Sequence, residues 1–538
     1  MQDEFDYVVI GGGVAGCLVA SRLSEDPGVT VCLLEAGPPD TNPFIHIPAG
    51  FMKVRFDERF IWPFESEPEA STKNRRILET QGRVLGGGSS INGMLYNRGQ
   101  PEDFDLWAER GNAGWSYADV LPYFKRTERR IGPGDDAVRG RSGRVPVTDV
   151  VWPDQLCKAF FAAARAAGLP LNPDYNAGIQ DGVSYFQCIV ENGKRRNMAR
   201  SYLARVTRPR TLDVRTGAHA QSVLFDGRRA VGVTYAHAKE RGRSHTIRVR
   251  REVIISAGAL NTPKLLQCSG IGPASSLRDI GVAVVQDLPV GANLRNHYVV
   301  PVVVKTKGVR TINELSRGPR LAEQVARWML GKPSIIGLPA AVVSFFGRSD
   351  PSLPRPDFQG MFAPASLKRS QFGLLDSFPG ATIGIRQHRP DSHGVVRARS
   401  SDAFDAPIIR PNYLSAEQDC RVVVSALKFA RSLFRSEDMG RYVLDEEMPG
   451  NAVRTDDEIL DYARGFGGSS YHLIGTARMG PRTDPTTVVD DHLRVHGTEG
   501  LRVIDASIMP TMPSANTMAA TMMVAEKGAD LIRGRSIG

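Results

Sequence analysis

The segment Gly11-Gly12-Gly13-Val14-Ala15-Gly16 and the acid Glu35 carry the most specific chemistry in this sequence. A Gly-x-Gly-x-x-Gly pattern removes side chains where a chain must turn sharply and let a pyrophosphate reach its backbone. An acid about twenty residues further on can accept hydrogen bonds from a ribose. Gly11 allows the tight turn, Gly13 the backbone approach, and Gly16 the close packing of a helix on a strand. A helix starting at Val14 would offer free N–H groups to the phosphates. The chemistry implied is dinucleotide binding. A lone histidine such as His472 titrates near neutrality and can take a proton, but is more often a satisfied structural residue, so its surroundings decide its role.

The elements that must position these residues follow from local pattern. Phe5 to Ile10 is a short apolar run and reads as a buried parallel strand; Val14 to about Ser24 reads as a helix, and Val29 to Leu34 as a second strand ending on Glu35. Gly37 to Arg75 is Pro-rich and irregular. Gln81 to Gly99 is rich in Gly and Ser and can wrap N–H groups around a phosphate or a ring. Leu212 to Thr216 and Ala220 to Phe225 read as strands, and Ala230 to Tyr235 and Thr246 to Arg250 as a meander. Glu252 to Ala259 reads as a buried strand running into a helix at Thr262-Pro263, with Pro263 in the first turn. From about Val309 to Tyr462 the pattern is mixed, with helices over Leu321–Met329 and Cys420–Phe434 and strands over Thr382–Gln387 and Gly394–Ala398. Leu501 to Ser507 is again a strand ending on an acid. Ala519 to Ile532 is a helix with Met522, Ala525, Ala529 and Ile532 on one apolar stripe. The expected architecture is α/β. A discontinuous Rossmann-type domain (1–155, 196–309 and 463–538) would carry a mixed α+β substrate-binding cap (156–195 and 310–462).

A chain of 538 residues exceeds what one core supports. The net charge is +10, but Lys194-Arg195-Arg196, Arg228-Arg229 and Arg248 to Arg251 are short, separated runs without interleaved aromatics. A solvated surface is expected rather than a nucleic-acid interface. None of the six cysteines forms a Cys-x-x-Cys pair, and the N-terminus enters the first strand without a basic and apolar leader. Both features suit a reducing, cytoplasmic setting. The longest apolar run, Ile335 to Phe346, contains Pro339 and is too short to span a bilayer. No His/Cys/Asp cluster has metal spacing.

Taken together, four blocks resemble the glucose–methanol–choline (GMC) oxidoreductases along essentially the whole chain. They are Gly11–Gly16 with Glu35; Gly82 to Gly99; Ser256 to Pro263 with Ser269 to Gly272; and Tyr471 to Gly480 with Asp505 to Pro510 and Asn516-Thr517-Met518. Within the family, the chain looks most similar to bacterial FAD-dependent alcohol dehydrogenases and to aryl-alcohol or hydroxymethylfurfural oxidases. The resemblance implies FAD bound by Gly11, Gly13, Val14, Ala15, Gly16, Glu35 and Ala36. It adds Arg83, Val84, Gly87, Gly88, Ser89, Asn92, Gly93, Met94 and Leu95 from the second block. Ala220, Ala257, Tyr471, Asp505, Ala506, Thr517 and Met518 complete the set. His472 would be the base, with Asn516 beside it. Some members link FAD through a histidine where this chain has Ile91, so the flavin is expected to be non-covalent. Leu473 and Ala477 stand where many members carry Pro or Gln and Cys, which leaves the pocket shape open. Asn296 precedes His297 where the family usually has Asp; His297 is read as structural.

The implied reaction removes a hydroxyl proton to His472 and a carbinol hydride to the flavin. The expected partners are a small, primary alcohol and an electron acceptor: a quinone or dye, with O₂ as the alternative. A hydroxynitrile lyase that keeps FAD without redox turnover is a more remote reading. An inactive flavin-binding protein is disfavoured by the presence of both His472 and Asn516.

Overall fold

The computed structural model describes residues 3–207, 209–237, 240, 242–368 and 373–535. The strand Glu4–Ile10, the helix Val14–Leu23 and the strand Val31–Glu35 form as the fingerprint predicts. Val29 closes the turn before the second strand, with its N–H on the Asp26 carbonyl. Gly11 has φ +101, and a Cβ there would lie 2.5 Å from the Ser256 carbonyl oxygen. Only glycine fits that corner.

The first sheet runs Leu212–Thr216, Val31–Glu35, Glu4–Ile10, Ser244–Ile255, Arg229–His237, Ala218–Asp226, with Leu501–Val503 paired to the end of Ser244–Ile255. Five of these strands are parallel and the remaining pairings antiparallel. Ser244–Ile255 is one strand, where the sequence suggested two. Its first part alternates exposed and buried as a meander strand, and Val253–Ile255 is wholly buried in the parallel part. A change of burial pattern within one strand reads as a break.

Two helices differ from expectation. The helix after this strand spans Gly258–Cys268, so Pro263 lies in its second turn. Proline cannot bond the carbonyl four residues back; Thr476 Oγ1 donates to that Ala259 oxygen at 2.7 Å instead. The C-terminal helix Thr517–Arg533 packs on Val14–Leu23 and is buried on all sides from Met518 to Asp530, not along one stripe. Its polar residues are neutralised there: Glu526 pairs with Arg22 and Arg126, Asp530 with Arg126, and Lys527 donates to the Gly114 carbonyl.

The second sheet is antiparallel and runs Val443–Met448, Tyr298–Thr306, Gly380–Gln387, Phe358–Ala363, Val343–Gly347, Gly182–Tyr185, with Gly468–Ser469 on the start of Tyr298–Thr306. Tyr298–Thr306 therefore lies inside the second sheet, short of the boundary expected at 309. Its residues 298–304 are all buried, as suits a central strand. The register sets Arg386 opposite Val299 on one side and Gln359 on the other. This end of the sheet meets the loop that carries His472.

Candidate active site

One long cavity runs between the two sheets. At one end its wall is backbone. Gly13 caps the helix Val14–Leu23, and a Cβ on Gly13 would meet no protein atom. Gly88 and Gly258 face similarly open space. The two Gly-rich loops dock on each other: Gly86 N–H donates to the Gly12 carbonyl at 2.7 Å, and a Cβ on Gly87 would lie 2.6 Å from Gly13 Cα. Gly16 carries no wall; its missing side chain lets the helix sit on Gly11. Glu35 is buried, and its two carboxylate oxygens accept from Gly12 N–H (2.8 Å) and Gly37 N–H (2.7 Å). Each oxygen keeps a lone pair for a ribose hydroxyl. Burial raises the Glu35 pKa, and those two N–H groups oppose the shift.

Most residues singled out from the sequence do line the cavity. They include Gly11, Val14, Ala15, Ala36, Asn92, Gly93, Met94, Leu95, Ala220, Ala257, Tyr471, Ala506, Thr517 and Met518. Arg83, Val84 and Ser89 lie behind the wall. Arg83 stacks over Trp62, 5.2 Å from the ring centre, Val84 is fully buried, and the Ser89 hydroxyl donates to Gly86. Asp505 borders the cavity, but its carboxylate is taken up by Gly258 N–H, Thr262, and Ser507. It ties the end of the strand Leu501–Val503 to the start of the helix Gly258–Cys268. Asn261 Oδ1 and Ser470 Oγ, both on the wall, have no protein partner. A cradle of bare glycines, two helix N-termini and unpartnered polar atoms fits an extended phosphate-containing dinucleotide.

At the other end the wall is side chain. Tyr471, with φ +61, turns the chain so that His472 faces the cavity. A non-glycine residue in that region costs about 1 kcal/mol. Asn516 caps the C-terminal helix, so the pair sits at a helix N-terminus that favours developing negative charge. His472 Nε2 is 3.1 Å from Asn516 Nδ2, and its Nδ1 is 3.0 Å from His297 Nδ1. The His472 N–H donates to Asn296 Oδ1 at 2.8 Å; Asn296 Nδ2 donates to Ser469 Oγ at 2.8 Å and faces Glu79 Oε2 at 3.3 Å. His297 lies behind His472, with its Nε2–H given to the His388 carbonyl at 2.8 Å. His297 therefore touches the His472 ring from behind and does not line the cavity.

Sequence reasoning missed Arg386. It is fully buried, with Nη1 2.6 Å from His472 Nδ1 and Nη2 3.2 Å from Asn516 Oδ1; Gln359 Oε1 accepts from it at 2.5 Å. A lone arginine in a strand 86 residues before His472 leaves no local signal. Its donation to Asn516 Oδ1 turns the amide N–H toward His472 Nε2, where a lone pair must then sit. The ring proton is then on Nδ1, where His297 accepts it, at the cost of crowding an Arg386 N–H. The other tautomer relieves that crowding, but sets Nε2–H against the Asn516 amide and makes His472 a donor toward the cavity. In either tautomer the imidazole is neutral. Burial first, then the Arg386 charge, then His297 hold the His472 pKa well below the ordinary value.

Comparison with known proteins agrees with this geometry. Family models described as GMC oxidoreductase match residues 5–299 and 390–525. An alcohol dehydrogenase (acceptor) of Pseudomonas putida is 37% identical over 98% of this chain and 95% of its own length. An oxygen-dependent choline dehydrogenase of Rhizobium johnstonii is 38% identical over 99% and 96%. Among solved structures, pyridoxine 4-oxidase from Mesorbium loti superposes with a TM-score of 0.88 at 28% identity, covering 99% of this chain and 100% of that one. The chain belongs to the GMC oxidoreductases and is an FAD-dependent enzyme.

Proposed function

We propose that the chain oxidises a primary alcohol to the aldehyde, with His472 Nε2 as the proton acceptor and electrons passed to an acceptor other than O₂. The observation that carries this reading is the His472–Asn516 pair, 3.1 Å apart on the cavity wall at a helix N-terminus. FAD, when bound, supplies the hydride acceptor. The N-terminus of Val14–Leu23 holds the pyrophosphate, Glu35 the ribose, and the Gly87–Leu95 loop with Ala506, Thr517 and Met518 the ring system. Ile91 lines the cavity with a hydrocarbon side chain that cannot form a covalent link, so the flavin is non-covalent. Asn516 Nδ2 donates to the alcohol oxygen, and His472 Nε2 takes the hydroxyl proton. The buried imidazole is neutral at neutral pH, and in the tautomer with its ring proton on Nδ1 its Nε2 can accept the hydroxyl proton. The Pseudomonas relative's name supports a dehydrogenase; the names of the equally similar oxygen-dependent choline dehydrogenase and of the more distant pyridoxine 4-oxidase support the O₂ alternative. All six cysteines are unpaired, which suits the cytoplasm.

A screen of aliphatic, aromatic and polyol alcohols tests the reading. Anaerobic addition of a substrate should bleach the yellow protein, and a quinone-like dye should restore the colour faster than air. Equal recovery in air would make the enzyme an oxidase. No bleaching by any alcohol, with cleavage of a cyanohydrin, would make it a lyase. Acid precipitation should leave the yellow colour in the supernatant; colour in the pellet would overturn the non-covalent assignment.

A further inference from the structure

The buried arginines of this molecule are treated in two ways. Arg98 and Arg139 are both fully buried and both pair with Glu128. Arg386 is equally buried, but its partners are Gln359, Asn516 and the two imidazoles, and it forms no ion pair among the described residues. Burial pushes its pKa down to about 9, which still leaves it charged at neutral pH. A full positive charge therefore stands directly behind the His472–Asn516 pair. Inside a protein its field is weakly screened.

Among the described residues, no carboxylate on the cavity wall offsets that charge near His472. The lining carboxylates are Glu35 and Asp505, both engaged by N–H and hydroxyl donors away from this end. Glu79 reaches His472 only through Asn296, and burial raises its pKa to about 8, which keeps it uncharged at pH 7. The Tyr471 ring, an aromatic face a cation could use, already carries Arg55, whose guanidinium lies 5.6 Å from the ring centre. An ammonium headgroup entering here would lose water, meet the Arg386 charge, and gain no carboxylate from the described cavity wall.

We propose that Arg386 makes this site select against cationic alcohols, so that an uncharged primary alcohol is oxidised in preference to its trimethylammonium isostere. The proposal rests on the reading of the site as an alcohol oxidase or dehydrogenase centred on His472. It separates this chain from the choline dehydrogenases that resemble it at 38% identity.

Choline and 3,3-dimethylbutan-1-ol differ in one atom and one charge, and so form the test pair. Anaerobic stopped-flow on the holoenzyme gives the limiting rate of bleaching and the dissociation constant for each. The ratio of rate to dissociation constant should favour the neutral alcohol by about tenfold to a hundredfold. Arg386→Gln should bring the ratio toward one, and Arg386→Lys should preserve it. Loss of packing alone would slow both substrates equally and leave the ratio unchanged, which would overturn the role of Arg386. Choline handled as well as its isostere by the wild type would overturn the proposal itself. Dissociation constants read from perturbation of the flavin spectrum give the same comparison without turnover. An equal affinity for the pair, and a failure of every alcohol to bleach the protein, are thus separate results.

Discussion

The two ends of the cavity are built on opposite principles. The phosphate end is backbone: Gly13 and Gly88 present bare main chain to the cavity, and the two loops touch through Gly13 and Gly87. The His472 end is side chain, drawn from Glu79, Asn296, His297, Gln359, Arg386, His472 and Asn516, with 86 residues between Arg386 and His472 and 175 between His297 and His472. Backbone recognition is local, since a contiguous loop supplies the whole contact. Proton transfer needs several side chains at fixed distances, and only a tertiary fold can gather them. The first end should therefore fail through sterics at single positions, and the second through charge and protonation.

The largest effect at the phosphate end is expected at Gly16. A Cβ there would lie 1.8 Å from the Gly11 carbonyl, a backbone atom that cannot rotate away. Gly16→Val should lower stability by about 3 kcal/mol or more and yield colourless protein after gel filtration. Gly13→Ala sharpens the contrast: its methyl would meet no protein atom, so the melting temperature of the apoprotein should hold while FAD is lost. If both variants melt alike, the division between packing glycine and ligand-facing glycine is wrong.

Glu35→Ala should be milder. It removes a hydrogen-bond acceptor for the ribose and the partner of the Gly12 and Gly37 N–H groups, so FAD affinity should drop by at least about tenfold to a hundredfold, as one charge-assisted bond of ~1.5–3 kcal/mol implies. Titration of apoprotein with FAD measures it, and an unchanged dissociation constant would remove Glu35 from the ribose.

The smallest effect is predicted at Glu79, on the other side of the comparison. Burial, opposed by its Tyr413 and Ser469 hydrogen bonds, raises its pKa to about 8. A carboxyl raised in the folded state contributes stability that is fully present below the ordinary value of 4.5 and is lost as pH rises through about 8. Ionisation would put a charge beside Asn296 and disturb the His472 backbone. Activity should fall a few-fold between pH 7 and pH 9. Glu79→Gln, always neutral, should lose that alkaline decline. A decline that persists in the variant would assign it to another group.

What was legible in the sequence follows the same division. The glycine fingerprint, Glu35, Ile91 and the His472–Asn516 pair could be read because each lies in a contiguous motif. The start of the helix at Gly258 was hidden, because Pro263 signals a first turn and only Thr476, more than two hundred residues away, makes the second turn tolerable. The all-round burial of Thr517–Arg533 was hidden because its charged residues mimic a solvent face while pairing with Arg22 and Arg126. Tyr298–Thr306 was assigned to the wrong side of a boundary since a buried strand looks the same in either sheet. Arg386 and Gln359 carry no motif; their meaning appears only when the register of the second sheet sets them side by side.

If His472 is a neutral base held by a buried network, the pH dependence of flavin reduction shows it most directly. The base must be unprotonated, and burial, Arg386 and His297 depress its pKa below 6.5. The wild-type rate should hold from pH 7 down through 6.5 and show its acid limb only in more acid solution. His472→Ala should retain FAD, reduce it about 10²–10⁴-fold more slowly, and lack the acid limb. A variant that reduces its flavin at nearly the wild-type rate, or that keeps the wild-type acid limb, would contradict the account.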